Sequence, residues 1–304
     1  MTKLKVAYRN FWQGFDPNKM PQDYFFEYAL SHKYEVETVE KEPDVVFISL
    51  FGEPVSRSEY SEGTLFVGFS GEPYDIQGDF DLTFDFNLSD NPNKFYLPLW
   101  AMYLIWDNNP EVEYRKLIGQ GSHHIQTETL DNYDTNPLRV TNILHRKSNL
   151  NKSKFCNFTY RNTIKSRIEF FKRLNDYKKV DSTGGLLNNT GYRMVNKSRE
   201  LADYKFTIAF ENTLKPNYVT EKLLEPLAAG SVPIYYGGET AFQYFNKDAV
   251  IYAQDYENLA TLKDAVVDID NNQYVYEYLL DQPVFKQLPD FPKLVCDRIA
   301  KELE

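Results

Sequence analysis

Between Tyr204 and Gly238 the chain reads YKFTIAFENTLKPNYVTEKLLEPLAAGSVPIYYGG. Two apolar runs, YKFTIAF and SVPIYYG, have the length of buried strands, and the segment between them carries Val219, Leu223, Leu224, Leu227 and Ala228 at helical spacing. Gly230 supplies a helix stop. A strand, a crossover helix and a second strand in immediate succession impose parallel pairing and an α/β architecture. The loop after the first strand and the first turn of the helix then lie at the carboxyl edge of the sheet, where open α/β sheets bind ligands. Glu211, Asn212, Tyr218, Glu221 and Lys222 all fall at that joint.

The same alternation runs through the rest of the chain. LKVAYRNF, YEVETV, PDVVFISLFG, TLFVGFSGEP and FDLTFDF read as strands, with a helix predicted in PQDYFFEYALSH from Tyr24, Phe25, Tyr28 and Ala29. From Pro110 to Leu150 the chain is polar and holds Gly119, Gly121 and Pro137, the pattern of a helical insert followed by a linker. KFCNFTY then restarts the strands, followed by a helix with Ile164, Ile168, Phe171 and Leu174 on one face, the Tyr204–Gly238 unit, a further strand and helix, and an amphipathic terminal helix. A length of 304 residues favours two domains. The expected division is 1–150 and 151–304, with the terminal helix, about 285–304, packing back toward the first domain.

Charge and composition remove several function classes. A net charge of -10 provides no general footprint for nucleic acid or anionic lipid, so any anion must be bound locally. Cys156 and Cys296 stand far apart in a chain with only four histidines, which argues against a cysteine-framed metal site and reads as plain thiols of a cytoplasmic protein. No apolar stretch reaches the length of a membrane span, and the terminal LVCDRIAKELE mixes charges of both signs, which disfavours peripheral membrane contact. Tyrosine and phenylalanine are abundant, at 23 and 22, and suit sugar faces as well as a core.

At the joint itself, Thr220 can cap the helix and Glu221 suits its positive end. Lys222 does not: a cation in the first turn opposes the helix dipole by about 0.3–1 kcal/mol when exposed, and a bound anion would remove the conflict. Pro226 falls inside the predicted helix, so a kink or a late start is expected. Upstream, Asn151 to Lys179 holds nine Lys or Arg against two Asp or Glu, a local basic field inside an acidic chain. Lys172, Arg173, Lys178 and Lys179 are read there as a solvated helix face.

The string FENTLKPNYVTEKLLEPLAAGSVPIYYG resembles the donor-binding signature of the α-1,3-fucosyltransferases of glycosyltransferase family 10, through Phe210-Glu211-Asn212, Tyr218 to Lys222 and Ala229 to Gly237. VDSTGGLLNNTG and SRIEFFKRL resemble two further family segments, the latter placing the diphosphate-contacting arginine at Arg167; Arg161 lies in the same stretch and remains open for that role. In the first half, LFVGFSGEPYD is similar to the strand-glycine-glutamate segment that carries the family's base, which maps to Glu72. SLFGEP ends a strand the same way, leaving Glu53 as a competitor or acceptor contact.

The resemblance implies a GT-B architecture, two Rossmann-like domains facing across a cleft, with acceptor-binding first and GDP-fucose-binding second. It further implies inverting transfer of L-fucose from GDP-β-L-fucose to a glycan, to O3 of N-acetylglucosamine in N-acetyllactosamine-type acceptors. Glu72, Lys222 and Arg167 would be catalytic, and Arg167, Glu211, Asn212, Tyr218, Glu221 and Lys222 would bind the donor. No metal or cofactor is required; the acidic strings DFDLTFD from Asp79 and DID from Asp268 are read as strand and turn carboxylates. Two other readings are a GT-B transferase using another nucleotide sugar and a non-catalytic glycan-binding module.

Overall fold

Every strand pair in the two sheets is parallel. A computed structural model of the chain describes residues 1–19, 21–106 and 136–304, which form two compact units, 1–122 with 289–304 and 123–288. The helical insert expected after Pro110 falls largely outside the described residues.

In the first unit the strands are β1 (Thr2–Arg9), β2 (Tyr34–Thr38), β3 (Val45–Ile48), β4 (Leu65–Phe69), β5 (Leu82–Asp85) and β6 (Lys94–Tyr96), in the order β2-β1-β3-β4-β5-β6. The inner strands VVFI and LFVGF are buried at every position, as a parallel sheet covered on both faces requires. One face is packed by rings: Phe26, from the helix Phe25–Leu30, lies 4.3 Å from Phe47 and edge-on to Phe69. On the other, Val55, Tyr60 and Phe80 cover Ala7, Val46, Ile48 and Phe66, because the β3–β4 crossover holds only a short 3₁₀ turn, Arg57–Glu59.

The terminal helix (Phe291–Leu303) belongs to this unit. Asp290 caps it by accepting from the Lys293 N–H, and Phe291 meets Trp100 edge-on at 5.5 Å. Arg298 lies over the Phe95 ring, and Lys33 pairs with Asp297 at 3.0 Å.

In the second unit β7 (Lys154–Phe158), β8 (Val180–Ser182), β9 (Tyr204–Phe210), β10 (Val232–Tyr236) and β11 (Ile251–Tyr252) take the order β11-β10-β9-β7-β8. The β9–helix–β10 crossover read from the sequence is present, its helix spanning Glu221–Ala229 and ending at Gly230 in the left-handed region with φ 75°. The late start expected from Pro226 does not occur: Thr220 caps at Glu221 and the helix runs through the proline, whose carbonyl accepts from Ser231. A helix at Gln273–Asp281, unread in the sequence, follows Leu259–Asn271. Its Leu280 carbonyl accepts from Arg146 and Ser148, so residues before 150 already bond into this unit.

The two sheets share one topology. Each unit's first strand is flanked on one side by its second strand and on the other by its third, so the strand order reverses between β1 and β3 and between β7 and β9. Those reversals are the switch points at which doubly wound sheets open a crevice.

Phe291 anchors the terminal helix in a site closed by Trp100, so Phe291→Ala should cost about 3–5 kcal/mol. Urea denaturation followed by tryptophan fluorescence is expected to show a lowered midpoint for the variant.

Candidate functional site

The second unit's joint is built around Glu211. Its N–H continues the sheet ladder to the Tyr236 carbonyl, and its carboxylate, 1% exposed, accepts the Thr220 N–H at 2.8 Å and the Thr220 hydroxyl at 2.7 Å. Thr220 in turn accepts from the Lys222 N–H, the cap of the crossover helix. The Lys222 ammonium bonds Glu221 at 2.9 Å and Thr220 Oγ1 at 3.2 Å, and lies 3.8 Å from Glu211. Burial pushes the Glu211 carboxyl up to about 6, against the pull of Lys222. Burial also works against the charge on Lys222, but the Glu221 and Glu211 carboxylates outweigh it and raise its proton affinity above the usual value.

Arg167, fully buried in the first turns of the helix Lys165–Asn175, approaches the same joint from the neighbouring strand connection. Its Nε and Nη2 donate to the Phe210 carbonyl at 3.1 and 2.5 Å, and Nη2 also reaches Asn212 Oδ1 at 2.8 Å. Among the described residues nothing accepts from its Nη1. The guanidinium lies 4.0 Å above the ring of Tyr160, whose hydroxyl donates to Ile208 and accepts from the Phe210 N–H. Gly184 leaves room for that strand end: a Cβ there would sit 2.3 Å from the Tyr160 carbonyl oxygen. Tyr160 thus orders the β7/β9 switch point, a role the sequence reading missed although the tyrosine directly follows an apolar run.

The rest of the basic segment points elsewhere. Arg161 is exposed on the preceding loop. Arg173 pairs with Glu169 on the solvated helix face, whereas Lys178 and Lys179 lie beyond the end of that helix and pair with the buried carboxylate of Asp270 and with Asp181 of β8, so the helix-face reading does not hold for these two. A cation the sequence reading also missed, Lys197, pairs with Glu225 at 3.0 Å and is drawn electrostatically to Glu221. Burial disfavours the Glu221 charge, but Lys222 and Lys197 overcome it and bring that carboxyl down to about 2. The joint therefore sets three cations, Arg167, Lys197 and Lys222, among three carboxylates, Glu211, Glu221 and Glu225. Tyr218 is buried in the approach to the helix, its N–H bonded to Lys215.

Glu72 stands in the first unit, just beyond the end of β4, and is half-buried. The Ser70 hydroxyl pins this turn by bonding the Glu72 and Tyr74 carbonyls. Glu53, beyond β3, is exposed, and its carbonyl accepts from the Asn10 side chain. The acidic strings are engaged in structure: Arg57 bonds Asp79 and Asp81 at 2.8 Å each, and Asp81 accepts the Phe66 N–H. Asp270 receives Lys205, Lys178 and Tyr177. Among the described residues no group of three or more His, Cys, Asp or Glu could hold a metal, and no helix is long and apolar enough to cross a membrane.

Two parallel sheets of this order, each reversing beside its first strand, define a GT-B-like glycosyltransferase fold. Residues 145–281 match the C-terminal model of glycosyltransferase family 10 (fucosyltransferase), and residues 6–103 match the α-(1,3)-fucosyltransferase FucT N-terminal domain. The chain belongs to glycosyltransferase family 10. It is 25% identical to the α-(1,3)-fucosyltransferase FucT of Helicobacter pylori over 97% of this chain and 66% of that protein. It is 31% identical to human GDP-fucose protein O-fucosyltransferase 3 over 36% of this chain and 26% of that protein. The chain thus spans less than two thirds of the length of these curated relatives. A crystal structure of an α1,3-fucosyltransferase with GDP-fucose superposes with a TM-score of 0.73 at 21% identity, covering 100% of this chain and 91% of that one.

Thr220 is at once cap, clamp and ammonium partner. Thr220→Ala should cost about 1–2 kcal/mol, with Thr220→Ser restoring most of it, in thermal unfolding of the two variants. The carboxylates set opposite pH trends. Glu211, raised in the fold, adds stability below its ordinary value near 4.5 that is lost as pH rises through about 6. Glu221, depressed to about 2, adds stability above 4.5 that is lost as pH falls toward 2. Unfolding temperatures from pH 4.5 to 7 should therefore show the protein losing ground to its Glu211→Gln variant as pH rises.

Proposed function

We propose that the chain is an inverting α-1,3-fucosyltransferase that moves L-fucose from GDP-β-L-fucose to a glycan hydroxyl, O3 of N-acetylglucosamine in N-acetyllactosamine-type acceptors. The observation that carries this reading is the buried Arg167, with a donor unused among the described residues, beside a lysine in the first turn of the crossover helix. Buried cations at a helix amino terminus suit a diphosphate, and side-chain cations can neutralise it without a metal. Family membership and the GDP-fucose named for the structural neighbour support the choice of nucleotide sugar.

In this mechanism the acceptor hydroxyl oxygen bonds to the anomeric carbon while the bond from that carbon to the β-phosphate oxygen breaks, leaving its electron pair on GDP. Glu72 takes the hydroxyl proton, and Lys222 and Arg167 stabilise the charge gathering on the leaving diphosphate. Lys222 exchanges part of its contact with Glu221 for phosphate. Glu221 then faces the ribose or the positively charged sugar, Asn212 and Tyr218 position the donor, and Glu211 holds the helix start against the strand. A second reading, transfer to a protein hydroxyl, draws on the similarity to a protein O-fucosyltransferase.

Glu72→Gln should lower kcat by about 10²–10⁴-fold with GDP binding unchanged, and Lys222→Ala should lower kcat by about 10²–10³-fold and weaken GDP binding as well. The assay supplies GDP-fucose with N-acetyllactosamine or an unfolded protein acceptor and reads product linkage. Turnover of a UDP-sugar in place of GDP-fucose, or full activity in Glu72→Gln, would refute the reading.

A further inference from the structure

We propose that the first unit's β1/β3 switch point is a hexopyranose-binding subsite, in which Phe51 receives the apolar face of a sugar ring, Trp12 borders it and the Glu53 carboxylate accepts from its hydroxyls. The proposal deepens the transferase reading above by naming where the acceptor rests.

Three observations converge on this corner. The strand order β2-β1-β3 puts the topological reversal of the sheet between β1 and β3, the position at which sheets of this order hold ligands. The loops leaving those two strands are locked to each other rather than left loose. Asn10 adopts the left-handed region with φ 58°, its carbonyl accepts the Phe51 N–H at 2.9 Å, and its side-chain amide donates to the Glu53 carbonyl at 2.7 Å. Gly52 fits against that amide only because it has no side chain, since a Cβ would lie 2.2 Å from Asn10 Oδ1.

The locked loops hold rings at an edge where packing does not need all of them. Phe11 and Phe15 stack at 4.2 Å, and Phe11 continues inward to Phe26 and Phe69, so they serve the core. Phe51 does not: it is 48% exposed, and among the described residues its ring contact is with Trp12, edge-on at 6.5 Å and 86°. An exposed ring braced edge-on by an indole that Phe11 and Phe15 hold in turn, with a carboxylate two residues along the chain, matches the division of a hexopyranose into an apolar C–H face and a hydroxyl rim. β4, which leads to Glu72, is the other neighbour of β3, and adjacent strands lie ~4.8 Å apart. A sugar seated on Phe51 therefore has its next ring, or its own rim, in line with the strand end that carries Glu72.

The test measures sugar binding without donor, so that it reads independently of transfer. Saturation-transfer NMR and tryptophan fluorescence titration of the full chain would use N-acetyllactosamine, methyl β-galactopyranoside and methyl N-acetyl-β-glucosaminide as probes. At least one probe should bind, Phe51→Ala should raise its Kd by about tenfold or more, and Phe51→Trp should restore it. Glu53→Gln should weaken binding, while the rise in unfolding temperature caused by GDP stays the same in all variants and certifies their folding. Absence of binding for all three probes, or a Kd unmoved by Phe51→Ala, would overturn the subsite. Binding that depends on Phe51 in a protein that transfers no fucose would uphold the subsite and remove the transferase reading.

Discussion

A buried carboxylate bonded twice to one threonine organises the second unit. Glu211 closes the end of β9, Thr220 opens the crossover helix, and the bonds between them at 2.8 and 2.7 Å fix where that helix begins. Because the start is fixed, the first-turn position of Lys222 is fixed with it, and the ammonium lies among Thr220, Glu221 and Glu211 rather than in water. Arg167 fastens the preceding residue, Phe210, from the other side. A charge that would be unfavourable on a free helix is held there by neighbours that are themselves held.

The same strand reversal occurs in both sheets, and each places a different chemistry at it. At β7/β9 the site is charged, with a guanidinium on Tyr160 and carboxylates buried around a lysine. At β1/β3 the edge is aromatic and exposed, with Asn10 tying the loops. The fold accounts for the location in both cases, while loop residues determine what each location can bind.

Much of this was legible in the sequence because strands and helices announce themselves by period. The crossover from Tyr204 to Gly238 is where the apolar spacing put it, and the stop at Gly230 is a left-handed cap. Of the two outcomes Pro226 suggested, a kink or a late helix start, the late start does not occur, because Thr220 and Glu211 stabilise the first turn sufficiently for the helix to begin before the proline. Pro233 likewise sits in β10, a strand with neighbours on both sides, where burial of VPIYY outweighs the missing donor. Within the candidate site, Arg167 was separable from the exposed Arg161 only in three dimensions. Lys197 and Tyr160 escaped notice since their partners, Glu225 and the Ile208 and Phe210 backbone, lie 28 to 50 residues away along the chain. The acidic string from Asp79 was read as strand and turn carboxylates, but its partner was not legible: Asp79 and Asp81 clamp Arg57, which lies 22 to 24 residues away along the chain.

The balanced set of three cations and three carboxylates bears on how quickly an anion can arrive. Lys197 and Lys222 are each paired with a carboxylate and the opposite charges are equal in number, so the joint projects little field beyond contact distance, and the chain as a whole carries a charge of -10. Electrostatic steering, which needs an unbalanced field reaching past a Debye length, gives a nucleotide diphosphate no acceleration toward this site. Under the donor role proposed above, its association is set by ordinary diffusion and orientation, and discrimination among anions comes from how long each stays.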